Sequence, residues 1–171
     1  MNLTPLDYIN IHMPPLSEPP VSIEPMSEQD WGAVRAIYLE GIATSNATFE
    51  TTAPDWAKRD AGHLRACRLV ARLQGDVLGW AALSPVSNRS VYTGVAEVSV
   101  YVAQRPRGQV VGSKLLASLV EASEREGIWT LQAGIFPENV PASCCTCGSA
   151  FALLVFGRGS DVWTAAGETS C

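Results

Sequence analysis

A chain of 171 residues, 47% of them hydrophobic and 17% charged, has the material for one compact domain with a full apolar core and too little for two ordinary ones. Its net charge of −5, with 12 Lys and Arg thinly spread, offers no basic stripe to neutralise a phosphate backbone, so no nucleic-acid partner is expected. No apolar run reaches bilayer length and the first residues lack the basic, hydrophobic and small-residue series of a secretory signal, so no membrane association and a cytoplasmic location are expected.

Residues 1–20 carry Pro5, Pro14, Pro15, Pro19 and Pro20 without sustained periodicity and read as an extended leader to a domain over 21–140. Val21 to Met26 reads as a first strand. Ser27, followed three residues later by Asp30, resembles a helix N-cap before Trp31, Val34, Ile37 and Tyr38. Gly41 to Thr52 is a polar loop, after which Pro54 and Asp55 open a second helix running to about Cys67. His63, in a polar stretch with Arg59, Arg65 and Arg68, reads as a solvated surface residue. Arg68 to Leu73 and Val77 to Leu83 form a hairpin about Gln74, Gly75 and Asp76.

Beyond a loop from Pro85 to Thr93, the run Ala96 to Val102 alternates. Val98, Val100 and Val102 share one face of this strand, and Glu97, Ser99 and Tyr101 share the other. Gly112 to Glu126 has one apolar stripe, Leu115, Leu116, Leu119 and Val120, and Gly127 supplies a helix C-cap. Ile128 to Phe136 is a further strand. Trp31, Trp56, Trp80 and Trp129 fall on apolar faces and read as core.

The chemistry-bearing segment lies between the alternating strand and the amphipathic helix: Gln104-Arg105-Pro106-Arg107-Gly108-Gln109-Val110-Val111-Gly112-Ser113-Lys114. A glycine-bearing turn feeding a helix N-terminus aims backbone N–H groups and the positive helix end at an anion, which makes a phosphate cradle. It lacks the Gly-Lys-Ser/Thr ending of a P-loop and the glycine spacing of a dinucleotide fold, which weakens a general nucleotide-binding reading.

The order of strand, two helices, hairpin, Glu97-Val98-Ser99-Val100-Tyr101-Val102, Arg-Gly turn, helix, strand and Pro137-Glu138-Asn139 resembles GNAT N-acetyltransferases, in particular the phosphinothricin acetyltransferase-like branch, over residues 21–140. The resemblance implies an α+β fold with a central mixed, mostly antiparallel sheet flanked by helices. It also implies acetyl-CoA as co-substrate, no metal, and a small-molecule amine as acceptor. The turn is similar to the family's Arg/Gln-x-x-Gly-x-Gly/Ala motif at Arg107 and Gly112, with Val110 standing where the middle glycine belongs. The implied pyrophosphate contacts are therefore Arg107, Gly108, Gln109, Val110, Val111, Gly112 and Ser113.

Ser45-Asn46-Ala47-Thr48-Phe49-Glu50 is similar to the branch's substrate loop, which assigns Phe49 and Glu50 to the acceptor side. By the same resemblance Glu97 and Ser99 meet the acceptor, Val100, Tyr101 and Val102 pair with the pantetheine, and Asn139 contacts the coenzyme. The chemistry needs an amine to lose a proton and a tetrahedral oxyanion to be stabilised. Glu97 is the candidate base, directly or through water, with a backbone N–H on Val100 to Val102 as oxyanion donor. Arg89 is a candidate to hold an acceptor carboxylate or phosphinate, and equally reads as an exposed loop charge.

Beyond Val140 the composition breaks. Only 3 charged residues fall in the last 31 positions, against 26 in the first 140, and Cys144, Cys145, Cys147 and Cys171 crowd there while Cys67 stands alone earlier. The cysteines show neither disulfide pairing nor zinc-ligand spacing. The family expects a helix beginning Ala-Ser-x-x-Leu-His, where this chain has Pro141-Ala142-Ser143-Cys144-Cys145-Thr146. Back-translated and read two bases later, Cys144-Cys145 must give Leu and Cys145-Thr146 gives His or Tyr. Residues 141–171 are therefore expected to be out of frame after loss of one base near codons 140 to 141, and sequencing the gene tests this. In the family the lost elements pack beside the coenzyme and often form the dimer interface, so a homodimer is left open; Phe151 to Phe156 is a replacement strand or an exposed sticky segment.

The leading expectation is an acetyl-CoA-dependent N-acetyltransferase acting on a small amino-acid-like amine. The alternative is an impaired protein of the same fold that binds coenzyme A weakly or serves only as an association module, for which Val110 and the tail argue.

Overall fold

The computed structural model describes residues 21–104, 111–140 and 142, together with two strand backbones at 152–155 and 164–166. One mixed sheet of seven strands runs in chain order: β1 (Ser22–Pro25), β2 (Leu69–Leu73), β3 (Asp76–Pro85), β4 (Val95–Val102), β5 (Thr130–Ile135), β6 (Ala152–Val155) and β7 (Thr164–Ala166). β1 to β4 are antiparallel neighbours, β4, β5 and β6 are parallel, and β7 returns antiparallel to β6. This is the α+β architecture expected, and residues 152–155 take the strand alternative.

The helices are α1 (Trp31–Ala43), α2 (Trp56–Gly62) and α3 (Val111–Arg125). Val111, Leu115 and Leu119 of α3 bury one stripe against one face of the sheet, with Val98, Val100 and Val102 of β4 packed on that side. Val34 and Ile37 of α1 cover the opposite face with Val70, Trp80, Ala82 and Tyr101. The alternation along β4 therefore divides two cores as the sequence implies. A register shift between Ala71 and Arg72 inserts an extra β3 residue, which lets both Val77 and Trp80 reach the α1 face.

The hairpin closes in two residues. Gln74 and Gly75 have φ of 54° and 96°, the paired positive values that suit a tight antiparallel turn, while Asp76 already pairs with Leu73. α3 ends at Gly127, whose φ of 73° turns the chain so that Ile128 N donates to Ser123 O at 3.0 Å.

Three sequence expectations need correction. α1 extends through Gly41 to Ala43, because apolar Ile42 and Ala43 continue the helix into the predicted loop. α2 stops at Gly62 rather than near Cys67. His63 is extended there, and the Arg68 guanidinium takes the Asp60, His63 and Leu64 carbonyls at 2.9, 2.7 and 2.7 Å, satisfying groups a longer helix would have used. Trp129 is 70% exposed rather than core, lying across the small face of Gly94, where an added Cβ would come within 2.0 Å of the indole.

At the start of α1, the Asp30 carboxylate accepts from Ser27 N at 2.8 Å and Ser27 Oγ at 2.9 Å and pairs with Arg72. Burial would raise its pKa, but the Ser27 backbone bond, the Arg72 and Ser27 side-chain bonds and the Arg72 charge together hold it below the ordinary value. A carboxyl depressed in the folded state contributes stability above its unfolded pKa, about 3.9, and loses it as pH falls through the folded value. Unfolding free energy should thus drop below about pH 4, and Asp30→Asn should flatten that dependence while costing about 1–3 kcal/mol at neutral pH. Urea melts across the acid range check both.

Candidate functional site

β4 and β5 are bonded only at Val95↔Thr130, Ala96↔Leu131 and Glu97↔Gln132. On its other side β4 stays paired with β3 all the way from Ala96 to Val102. The two parallel strands therefore part just past Glu97, and the β5-facing edge of Val98 to Val102 opens onto a cavity of about 1130 Å³. Gly112 and Ser113, in the first turn of the 15-residue α3, line the same cavity, so the positive end of that helix faces it.

Two segments wall its mouth. The loop after α1 is tied to the turn after β5: Asn139 Nδ2 donates to Asn46 O at 3.2 Å, and Asn46 Nδ2 to Glu138 O at 3.4 Å. Phe49 and Phe136 meet edge to face across the same junction, ring centroids 4.6 Å apart, although Phe49 remains 72% exposed. Tyr101 OH donates to Ala47 O at 3.2 Å. Gly41 admits that ring, since a Cβ there would lie 2.8 Å from it. Burial and Tyr38 raise the Tyr101 pKa, keeping its proton as the donor in this bond.

Of the residues singled out from sequence, Phe49, Glu50, Glu97, Ser99, Val100, Tyr101, Val102, Gly112, Ser113 and Asn139 all line the cavity. Glu97 is exposed and stands at the fork itself. Val111 does not line it. Its side chain is fully buried in the α3 core, which leaves only its backbone for an anion. Arg89 is also absent from the lining: it is exposed in the β3–β4 connection with its guanidinium 5.6 Å from the Tyr92 ring. Arg107, Gly108, Gln109 and Val110 lie outside the described residues.

Two lining residues escape the sequence reading. Arg59 is 7% exposed, with its Cζ 4.1 Å above the Trp80 ring and 5.7 Å from Trp31. His63, expected at the solvated surface, is half-buried in the cavity wall and bonded to Arg59. Its pKa is lowered to about 4, by burial first and then by the Arg59 charge. The polar residues around it on α2 suggest solvent. The signal that could have found the pair is Trp56, Arg59 and His63 at helical spacing, which brings one aromatic and two nitrogen donors onto one side.

The sequence model of the acetyltransferase (GNAT) family matches residues 28–143. Phosphinothricin N-acetyltransferase of Streptomyces viridochromogenes is 34% identical over 128 residues, covering 72% of this chain and 69% of that protein. An L-methionine sulfoximine/L-methionine sulfone acetyltransferase of Pseudomonas aeruginosa is 31% identical over 124 residues, covering 69% and 72%. Among solved structures, a GNAT superfamily phosphinothricin acetyltransferase from Sinorhizobium meliloti, in complex with AcCoA, matches with a TM-score of 0.64 at 27% identity, covering 72% of this chain and 70% of that one.

Proposed function

The chain belongs to the GNAT acetyltransferase family, and from that premise we propose that it transfers acetyl from acetyl-CoA to the amine of a small amino-acid-like acceptor of the phosphinothricin or methionine sulfoximine type. The parting of β4 from β5 at Glu97 carries this reading, because it leaves an edge of backbone N–H and C=O groups facing a cavity that also receives the N-terminus of α3.

The residues present fit the coenzyme. An extended arm bearing amides can add to an open strand edge as a further strand would. Its anionic end suits the α3 N-terminus, where Gly112 and Ser113 line the cavity. When bound, acetyl-CoA supplies an acetyl thioester. Glu97 takes the proton of the acceptor amine, directly or through a water, and a backbone N–H of Val100 to Val102 donates to the oxygen on which charge develops. Phe49, Glu50 and Ser99 form the acceptor side of the site, and the 44–50 loop with the 136–139 turn limits water entry. Asn139 holds that closure together.

The family match ends at residue 143, beside the change in composition after Val140, which supports reading residues 141–171 as out of frame. No helix among the described residues is long and apolar enough to cross a membrane.

Free-thiol release from acetyl-CoA, measured with and without L-phosphinothricin or L-methionine sulfone, tests the reading. Acceptor-dependent release is expected. Coenzyme binding with no release for any amine would contradict it and favour the impaired alternative.

A further inference from the structure

Resting on the acetyl-transfer reading, we propose that Arg59, oriented by His63, is the receptor for an acidic group on the acceptor. The group it would hold is the carboxylate, phosphinate or similar anionic oxygen of that acceptor.

Arg59 lines the same cavity as Glu97 and is more than nine-tenths buried. His63 Nδ1 donates to the Arg59 carbonyl at 2.9 Å, which leaves Nε2 as an acceptor for Arg59 Nη1 at 3.0 Å. One nitrogen of the guanidinium is thus held by a neutral imidazole, while Nη2 has no hydrogen-bond partner among the described residues. Among the described residues no carboxylate forms an ion pair with the guanidinium either. Asp60, the acidic neighbour on α2, is engaged by Arg68 and Arg65, and Asp30 and Glu24 by Arg72. Burial, and then Arg68, pull the Arg59 pKa down to about 10, which leaves the group cationic at neutral pH.

Leaving a buried cation short of partners is costly, and the stacking on Trp80 answers only part of it. An anionic ligand oxygen in the cavity supplies the missing acceptor and the missing charge together. The placement suits an acceptor that spans the site. Leu64, next after His63, donates its N–H to Leu83 O at 2.8 Å, and Leu83 pairs with Val98, adjacent to Glu97. The segment after α2 therefore crosses near the fork, while Arg59 stands over Trp80, whose partner Tyr101 shares a face of β4 with Glu97, so the proposed anion receptor and the proposed base line the cavity from the same side of the sheet. Arg89, exposed beside Tyr92, has neither feature.

The test compares L-methionine sulfone with its carboxamide as acceptors. In the wild-type protein the acid should be preferred in kcat/KM, and Arg59→Gln should reduce that preference about 10-fold to 100-fold, mainly through the KM of the acid. Arg59→Lys, which keeps the charge without the fork, should retain part of it. A preference unchanged in both variants, or a wild-type protein indifferent to the acid, overturns the inference while turnover still upholds acetyl transfer. If no amine is turned over, calorimetric titration of the wild-type protein with L-methionine sulfone and with its carboxamide decides: tighter binding of the acid supports the receptor, and equal or undetectable binding refutes it. Circular dichroism separates a folding defect from loss of recognition.

Discussion

Replacing Glu97 with Gln should lower kcat for acetyl transfer by about 10²-fold to 10⁴-fold while acetyl-CoA still binds. The carboxylate is exposed at the point where β4 leaves β5, so the amide fits the same space and stability should stay within about 0.5 kcal/mol. Under the proposed mechanism, what disappears is the capacity to accept a proton from the amine as it attacks. Stopped-flow or steady-state thiol release gives kcat, and calorimetry gives the coenzyme affinity. A variant with undiminished kcat would remove Glu97 from the chemistry and leave it a carboxylate at a strand junction.

The second large effect is on the fold beneath the site. Trp80 is 1% exposed, stacks on Tyr101 with ring centroids 4.7 Å apart and an interplanar angle of 18°, meets the edge of Tyr38 at 6.0 Å and carries Arg59 on its other contacts. Trp80→Ala should cost about 3–5 kcal/mol, since it opens a large void in the α1 face of the sheet. It should also lower acceptor recognition, because both the Tyr101 ring and the Arg59 guanidinium lose their platform. Chemical denaturation measures the first effect and the KM for the acceptor the second. A loss under about 1 kcal/mol would mean that the neighbouring rings close the void.

The parts legible in the sequence are those set by local periodicity and by motif. Val98, Val100 and Val102 against Glu97, Ser99 and Tyr101 predict the two-faced β4, and its two sides do pack into separate cores. Gly75 predicts the hairpin, and the Leu115, Leu116, Leu119 stripe predicts α3 and its buried side. The site residues on β4, at the α3 N-terminus and in the 44–50 loop converge because they lie on elements whose order fixes their neighbours.

What was not legible depends on contacts between distant segments. Arg59 and His63 look like surface residues beside Lys58, Asp60 and Arg65, and only the packing of α2 over Trp80 buries them. The early end of α2 comes from Arg68 capturing three carbonyls, a side-chain event that no helix pattern encodes. Trp129 reads as core by type, yet residue 94 is a glycine, and the indole rests on that small surface with most of its area in solvent. Arg89 has the charge an acidic acceptor needs, and it is exposed beside Tyr92 rather than in the cavity lining.

Hydrogen–deuterium exchange with and without acetyl-CoA tests most directly whether the fork between β4 and β5 is where the coenzyme lies. Slowed exchange is expected within Val98 to Val102, at the alternate amides that β3 does not hold, and in the first turn of α3, the groups that the parted strands and the helix end leave facing the cavity. Calorimetrically confirmed acetyl-CoA binding that protects other segments and leaves these amides unchanged would contradict it.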